Sequence, residues 1–444
     1  MRRSTVLLTA FTVGTLLASG VSGAAPSAKW ATLADQPLHS FQKVATDHGI
    51  RLGSIGSGMF RSGSDKPHEF YMVTDRGPNG QPDDKRTFPV PDFDPAIVKV
   101  RVKGQKVEIL KRIPLKTMKG EPVTGLPNFS DVDSPVSDTK PAPDEVPYNF
   151  DGSLPLEVYN QNGLDTEDIV RTAHGDFWIV DEYRPSVLKV SGDGTVLARY
   201  VPRGLKDEFT KVGYPVYDTL PAEHAYRRQN RGYEGLALSP DQKHLFVALQ
   251  SPLQLPPNPN VGRDSRNTRI LRLDLNGHVT GEFVYRFDWA ADFDPGSAAR
   301  ARDMKISGLS AISDDTVLVL ERTDFVAKVY LVDFDGATDL GPWKPPTGAA
   351  LNYLETLNNS GDLETSGIKP LPKSLVIDLD SVKDMPDKIE SIAVVDRNTL
   401  AVANDNDFGL TDDPAWDAKG RLTSDTGVKS RILSVTLPDP LPKG

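Results

Sequence analysis

Three glutamates hold the same place in a phrase that the chain repeats. Glu234 opens the first apolar run of NRGYEGLALSPDQKHLFVALQS, residues 230–251. Glu167 holds that place in TEDIVRTAHGDFWIVDE (166–182), and Glu390 in KIESIAVVDRNTLAVAND (388–405). Ser307 replaces it in ISGLSAISDDTVLVLER (306–322), and a looser copy runs from Gly56 to Arg76. Four copies leave their second apolar run on polar residues: Asp75 with Arg76, Asp181 with Glu182, Glu321 with Arg322, and Asn404 with Asp405 and Asp407. Acids at equivalent places converge if the repeats surround an axis, and crowded carboxylates repel unless they bind cations, hold protons or pair with arginine. Hard oxygen donors in a chain with no cysteine favour calcium over zinc or copper. On this reading Glu167, Asp181, Glu234, Glu321, Glu390 and Asp405 are metal ligands at one end of a channel. Glu234, Asp75, Arg76 and Arg322 are the groups that act on an ester substrate. The guanidinium forks would pair anionic ester oxygens, a bound calcium would polarise ester and water, and an unliganded carboxylate would serve as general base. The structural alternative is that these acids bond backbone amides of the neighbouring repeat.

Each phrase reads as two strands and a turn. In the copy around Glu234, proline presets the backbone of the turn, and Ser239 and Asp241 bond back to it. Self-similarity at intervals of several tens of residues marks a repeat architecture. The second unit shows four strands between Asp168 and Tyr200, which is blade-like. The expectation is an all-β chain, a β-propeller with five recognisable blades. A sixth is possible in the irregular region 116–164. The last blade stops at Thr436 without an outer strand, so an N-terminal strand should close the ring and leave no open edge. Phe41–Val44 is the expected strand, and Ala25–Gln36 reads as a loose leader. A sandwich or a single barrel does not explain five copies of one phrase. Stretches 117–162, 206–231 and 335–373 read as long loop insertions.

The bulk properties set the outer bounds. The chain has 444 residues, 38% hydrophobic and 25% charged, which places it among globular proteins. A formal net charge of -10 disfavours nucleic acid as a partner. Arg2 and Arg3, the apolar stretch Val6–Leu17 and the small residues Ser22, Gly23 and Ala24 read as a secretory signal over 1–24. The expected product is an exported single propeller domain, 25–444, and no other stretch is apolar enough to span a bilayer. No Gly-x-Ser-x-Gly elbow opens a helix, and no P-loop, dinucleotide fingerprint, paired-histidine zinc motif or EF-hand loop is present. His174, His244 and His278 read as surface groups, and His224 lies in an insertion.

GLDTEDI, RGYEGLALSPDQKHLFVALQSPL, DRGPNG and IESIAVV, taken in this set, resemble the phytase-like domain family, described as having esterase-like activity of phytase. The resemblance covers about Gly53 to Leu437. It implies a secreted bacterial β-propeller of the calcium-dependent ester-hydrolase type. Propeller phytases carry an acidic phrase around Asp-Asp-Pro-Ala. Asp412–Ala415 spells those letters without the acids that should precede them. The expected function is a secreted metal-dependent ester hydrolase on a small-molecule ester, with phosphate esters one candidate class. The alternative is a non-catalytic propeller whose insertions bind a carbohydrate, a peptide or an envelope component.

Overall fold

The repeated phrase folds as a β-hairpin because its turn satisfies its own backbone. Between Tyr233–Leu238 and His244–Leu249, the Ser239 hydroxyl accepts from the amides of Lys243 (3.2 Å) and His244 (3.0 Å), and Asp241 accepts from Lys243 (3.0 Å). The computed structural model describes residues 26–129 and 144–443. The signal segment expected over 1–24 lies outside the described residues.

Strand β1 (Ser27–Leu33) precedes a first blade of β2 (Gly58–Phe60), β3 (Glu69–Val73), β4 (Ala96–Lys103) and β5 (Lys106–Pro114). The second blade is β6 (Thr166–Arg171), β7 (Phe177–Asp181), β8 (Ser186–Val190) and β9 (Val196–Pro202), with β10 (Val216–Leu220) added in parallel outside it. The third is β11 (Tyr233–Leu238), β12 (His244–Leu249), β13 (Asn267–Asp274) and β14 (Val279–Arg286). The fourth is β15 (Lys305–Ala311), β16 (Thr316–Arg322), β17 (Ala327–Asp333) and β18 (Lys373–Asp378). The last is β19 (Ile389–Asp396), β20 (Thr399–Asn404) and β21 (Arg431–Thr436), completed by β1. Strands β2, β6, β11, β15 and β19 touch in that order, and β19 returns to β2. The fold is a β-propeller. Among the described residues no strand lies between Pro114 and Thr166.

A hydrophobic core fills each gap between neighbouring blades, so both faces of every blade are buried. In β7, Phe177 and Ile179 pack toward Ile97 and Ile113 of the first blade, while Trp178 and Val180 pack toward Val247 and Leu271 of the third. Successive residues point to opposite faces. A strand buried on both faces therefore reads as an unbroken apolar run rather than as an alternation.

The ring is closed by an N-terminal strand, but not by Phe41–Val44. Strand β1 pairs antiparallel with β21, from Ser27 opposite Thr436 to Thr32 opposite Arg431. It also meets β5 in parallel at Thr32 and Leu33, which joins the first and last blades into one eight-stranded sheet. The stretch read as a loose leader thus holds the closing strand. Only Ala31 and Leu33 of β1 are buried, and Trp30 is 37% exposed, so its apolar signal is thin. Phe41 follows a single 3-10 turn, Leu38–Ser40, and its ring packs under the Arg112 guanidinium. Residues 41–44 are partly buried cover for the core, not sheet.

Candidate functional site

The acids reach the channel because the inner strands are bulged. In β11 the register passes from Tyr233 opposite Leu249 to Gly235 opposite Ala248, leaving Glu234 unpaired in the ladder. The same step leaves Ser307 unpaired in β15 and Glu390 in β19, and the irregularity in β6 spans Glu167 and Asp168. A bulge re-aims a side chain and is frequent beside functional sites. By the same registers, the residues leaving the second strands at one level are Asp75, Glu182, Gln250, Arg322 and Asp405. The two sets enclose a polar cavity of about 500 Å³ at one end of the channel.

One wall of this cavity is acidic. Asp165, Glu167 and Glu182 are buried, and each has a carboxylate oxygen within 4.8 Å of the others. Burial, and after it the charge of Glu234, pushes Glu167 and Glu182 well above the usual carboxylate range. Gln250 donates to Glu182 at 3.1 Å. Arg76 donates its amide to Asp165 Oδ1 (3.1 Å) and pairs through Nη1 with Glu145 (2.7 Å). Asp165 Oδ2 lies 3.2 Å from the same guanidinium nitrogen without meeting hydrogen-bond geometry, so that oxygen is buried with no bond of its own.

A second wall carries cations, with Asp324 and Glu390 among them. Arg231, Lys305 and Arg322 line it, and burial together with mutual repulsion depresses two of them. Arg231 falls to about 10, through burial, Arg228 and Arg322, and Lys305 to about 8, through burial, Arg322 and Arg231. Arg322 is held in place by Ser307, 2.7 Å from its Nε, and by an ion pair with Glu390. Glu234 stands between the walls. Its Oε1 accepts from Ser307 at 3.2 Å, while Oε2 is buried and has no hydrogen-bond partner. Burial and Glu390, against Arg322, push it up to about 7.

Asp168 closes the cavity below. It takes the position that Gly58, Gly235, Gly308 and Ser391 fill in the other inner strands. Its Oδ2 accepts the amides of Leu236 (2.8 Å) and Leu309 (3.3 Å), and its Oδ1 that of Ile169 (2.8 Å). The inner strands approach so closely there that a Cβ on Gly58 would stand 2.5 Å from the Asp168 Cα. A separate, more apolar cavity of about 380 Å³, lined by Met59, Leu236 and Leu309, opens on the far side.

A family model described as phytase-like, esterase-like activity of phytase, matches residues 51–408. The chain belongs to the phytase-like family. An uncharacterized secreted protein of Arthroderma benhamiae is 31% identical to it over 206 residues, covering 41% of this chain. The matched region spans only 38% of that protein's length. Among solved structures, a luciferin-regenerating enzyme aligns at 10% identity and a TM-score of 0.34, covering 93% of this chain and 98% of its own. Regucalcin of Agrobacterium tumefaciens, a calcium-binding protein, aligns at 10% and 0.33, over 93% and 98%. Virginiamycin B lyase of Staphylococcus aureus aligns at 10% and 0.32, over 93% and 99%. At such TM-scores these likenesses carry no weight, and the propeller assignment rests on the strand pairing.

Within this phytase-like chain, seven of the residues singled out by sequence line the cavity: Asp75, Arg76, Glu167, Glu234, Arg322, Glu390 and Asp405. Asp181 and Glu321 do not. Asp181 is fully buried and is bonded by Arg199 (2.6 Å), Ser186 (2.8 Å) and the amide of Asp165 (2.8 Å). Glu321 accepts from Lys373 (2.7 Å), the Tyr285 hydroxyl and the Asp288 amide (2.9 Å). The cause is the period of two. In each pair the second residue, Glu182 or Arg322, faces the axis, and the first turns into the blade. Sequence reasoning did not select Asp165, Glu182, Arg231 or Lys305. Asp165 and Arg231 lie inside the phrases GLDTEDI and RGYEG, just ahead of the glutamates that were chosen. Asp412, from the Asp-Asp-Pro-Ala phrase, reaches the rim, where its carbonyl accepts the Gln81 amide.

Proposed function

We propose that the channel mouth is the hydrolytic site of an exported, metal-dependent esterase that acts on anionic esters, phosphate esters among them. The observation that carries this reading is the meeting, in one cavity at the channel mouth, of a carboxylate cluster with Arg231, Lys305 and Arg322, an acceptor oxygen each of Asp165 and Glu234 being left without a hydrogen bond. Asp165, Glu167 and Glu182 would hold a divalent cation. Their fit is chemical and spatial: all donors are carboxylate oxygens, and two oxygens on opposite sides of a calcium ion lie about 4.8 Å apart at typical bond lengths. Three buried carboxylates with so few partners are costly unless a positive charge or protons compensate them. A calcium ion held there would supply charge neutralisation and polarisation of an ester oxygen.

The chain's own groups supply the rest. Arg231, Lys305 and Arg322 bind and orient the anionic part of the substrate, with Arg322 fixed by Ser307 and Glu390. Glu234, a lining residue whose Oε2 has no hydrogen-bond partner, takes a proton from the attacking water. A carboxylate whose pKa lies near neutrality suits a general base. Arg76 is tied to Glu145 and Asp165, so it positions the acidic wall. Glu390 acts as counter-ion to Arg322, and Asp405 accepts a hydrogen bond from the Ser54 hydroxyl. The name of the Arthroderma relative supports export. The test is elemental analysis of the purified protein, followed by p-nitrophenyl phosphate and p-nitrophenyl acetate hydrolysis with and without chelator. Chelator-sensitive turnover restored by calcium is expected. Absence of a bound or restorable divalent ion, together with no turnover, overturns the proposal.

A further inference from the structure

A second cavity, of about 780 Å³, shares no lining residue with the channel site. It lies on the outside of the third blade, between β14 and the insertion 335–373. Its volume falls within the range of about 300–1,000 Å³ usual for small-molecule sites. Two aromatic side chains of the insertion line it. Trp343 and Tyr353 stack with ring centroids 6.4 Å apart and planes 16° from parallel. Their polar ends are both anchored on Ser366: the Trp343 indole donates to its carbonyl (3.1 Å), and the Tyr353 hydroxyl meets its Oγ (3.0 Å). The rings are therefore held in place at the wall of the cavity. Leu351, 57% exposed, extends this apolar side.

The cavity also holds two buried charged groups. Arg269 and Glu282 are 5% and 6% exposed. They face each other at 3.3 Å, and each is secured from behind: Arg269 by an ion pair with Glu355, and Glu282 by His224 at 3.0 Å. His224 is in turn fixed by the Tyr233 hydroxyl at 2.8 Å. This is a rigid polar floor that offers a guanidinium donor beside a carboxylate acceptor. The remaining charged lining balances, with Arg203 and Lys344 against Glu223 and Asp339.

We propose that this cavity binds a neutral carbohydrate. A purely apolar ligand would strip water from Arg269 and Glu282 without replacing its hydrogen bonds, which is costly. An anion or a cation would find no surplus of opposite charge. A sugar ring meets both demands, because its C–H faces lie against aromatic and leucine surface while its hydroxyls donate to the carboxylate and accept from the guanidinium. The inference is independent of the hydrolytic reading.

The test is an array of neutral and acidic oligosaccharides probed with the full chain, followed by titration calorimetry on the best neutral binder. The expected result is binding that drops at least tenfold in Trp343→Ala and in Leu351→Asp, the latter with an unchanged melting curve. Leu351→Asp changes an exposed side chain, so it decides the matter if Trp343→Ala fails to fold. The proposal is overturned if no neutral oligosaccharide binds more tightly than about 1 mM, if only acidic ones bind, or if folded variants bind as well as the native chain.

Discussion

Glu234 and Asp181 are both buried acids of the repeated phrase, yet their bonding sets them apart. Glu234 accepts one hydrogen bond and keeps a buried oxygen without a partner, whereas Asp181 is bonded on both oxygens. Glu234→Gln keeps the size and removes the charge. Calcium affinity by calorimetry is expected to fall with it, and chelator-sensitive turnover to be lost. Unchanged affinity and turnover would remove Glu234 from the site. Asp181→Ala leaves Arg199 buried without its partner. Loss of one member of a buried ion pair costs about 3–5 kcal/mol, read as a shift of the urea midpoint, with calcium stoichiometry unchanged. A pH effect follows from Glu234 as well. Its pKa in the folded chain, about 7, exceeds the ordinary 4.5, so the metal-free folded state binds the proton more tightly than the unfolded chain. Its contribution to stability is full below about pH 4.5 and is lost as pH rises toward 7. Metal-free native protein should therefore lose more stability over that interval than Glu234→Gln, and parallel curves for the two would contradict the assignment.

At the scale of elements, the closing strand carries the sharpest expectation. Ala31 pairs with Ile432 in the β1–β21 ladder and is buried. Ala31→Pro removes a ladder donor and clashes with the strand geometry, so the melting temperature should fall steeply. Val44→Ser, in the stretch that sequence reasoning had favoured, should shift it little, and the reverse ranking would refute the closure. The contrast shows what sequence carries. Inner and second strands such as β7 and β12 are buried on both faces and announce themselves as apolar runs. Strand β1 is mostly exposed, and its pairing partner lies at the opposite end of the chain, where no local pattern points to it. The site follows the same logic. Glu167, Glu234 and Glu390 are legible because they recur at one place in the phrase, but which member of Asp181–Glu182 or Glu321–Arg322 faces the axis depends on register. A one-residue slip exchanges the faces. Asp165 and Arg231 belong to the cavity through the approach of separate blades, which spacing along one phrase does not encode.

On the scale of the whole molecule, the channel should behave as a cation-stabilised hub. Calcium bound to the folded state alone raises the melting temperature by mass action. The rise should be larger at pH 8 than at pH 5, because protons and the cation compete for the same carboxylates. A calcium-independent melting curve at pH 8 would argue against a site there. Asp168 also separates the two cavities along the axis, so any ligand of the polar one enters and leaves through a single mouth, beneath the rim formed by residues 79–81 and 410–412. The closure by β1 has a further consequence, in time. This strand leaves the ribosome early, but its antiparallel partner, Arg431–Thr436, lies about four hundred residues later. At synthesis rates of about 5–20 residues per second, β1 waits on the order of 20–80 s for the segment that locks it. During that interval the last blade cannot be completed, and the growing chain remains an open string of blades.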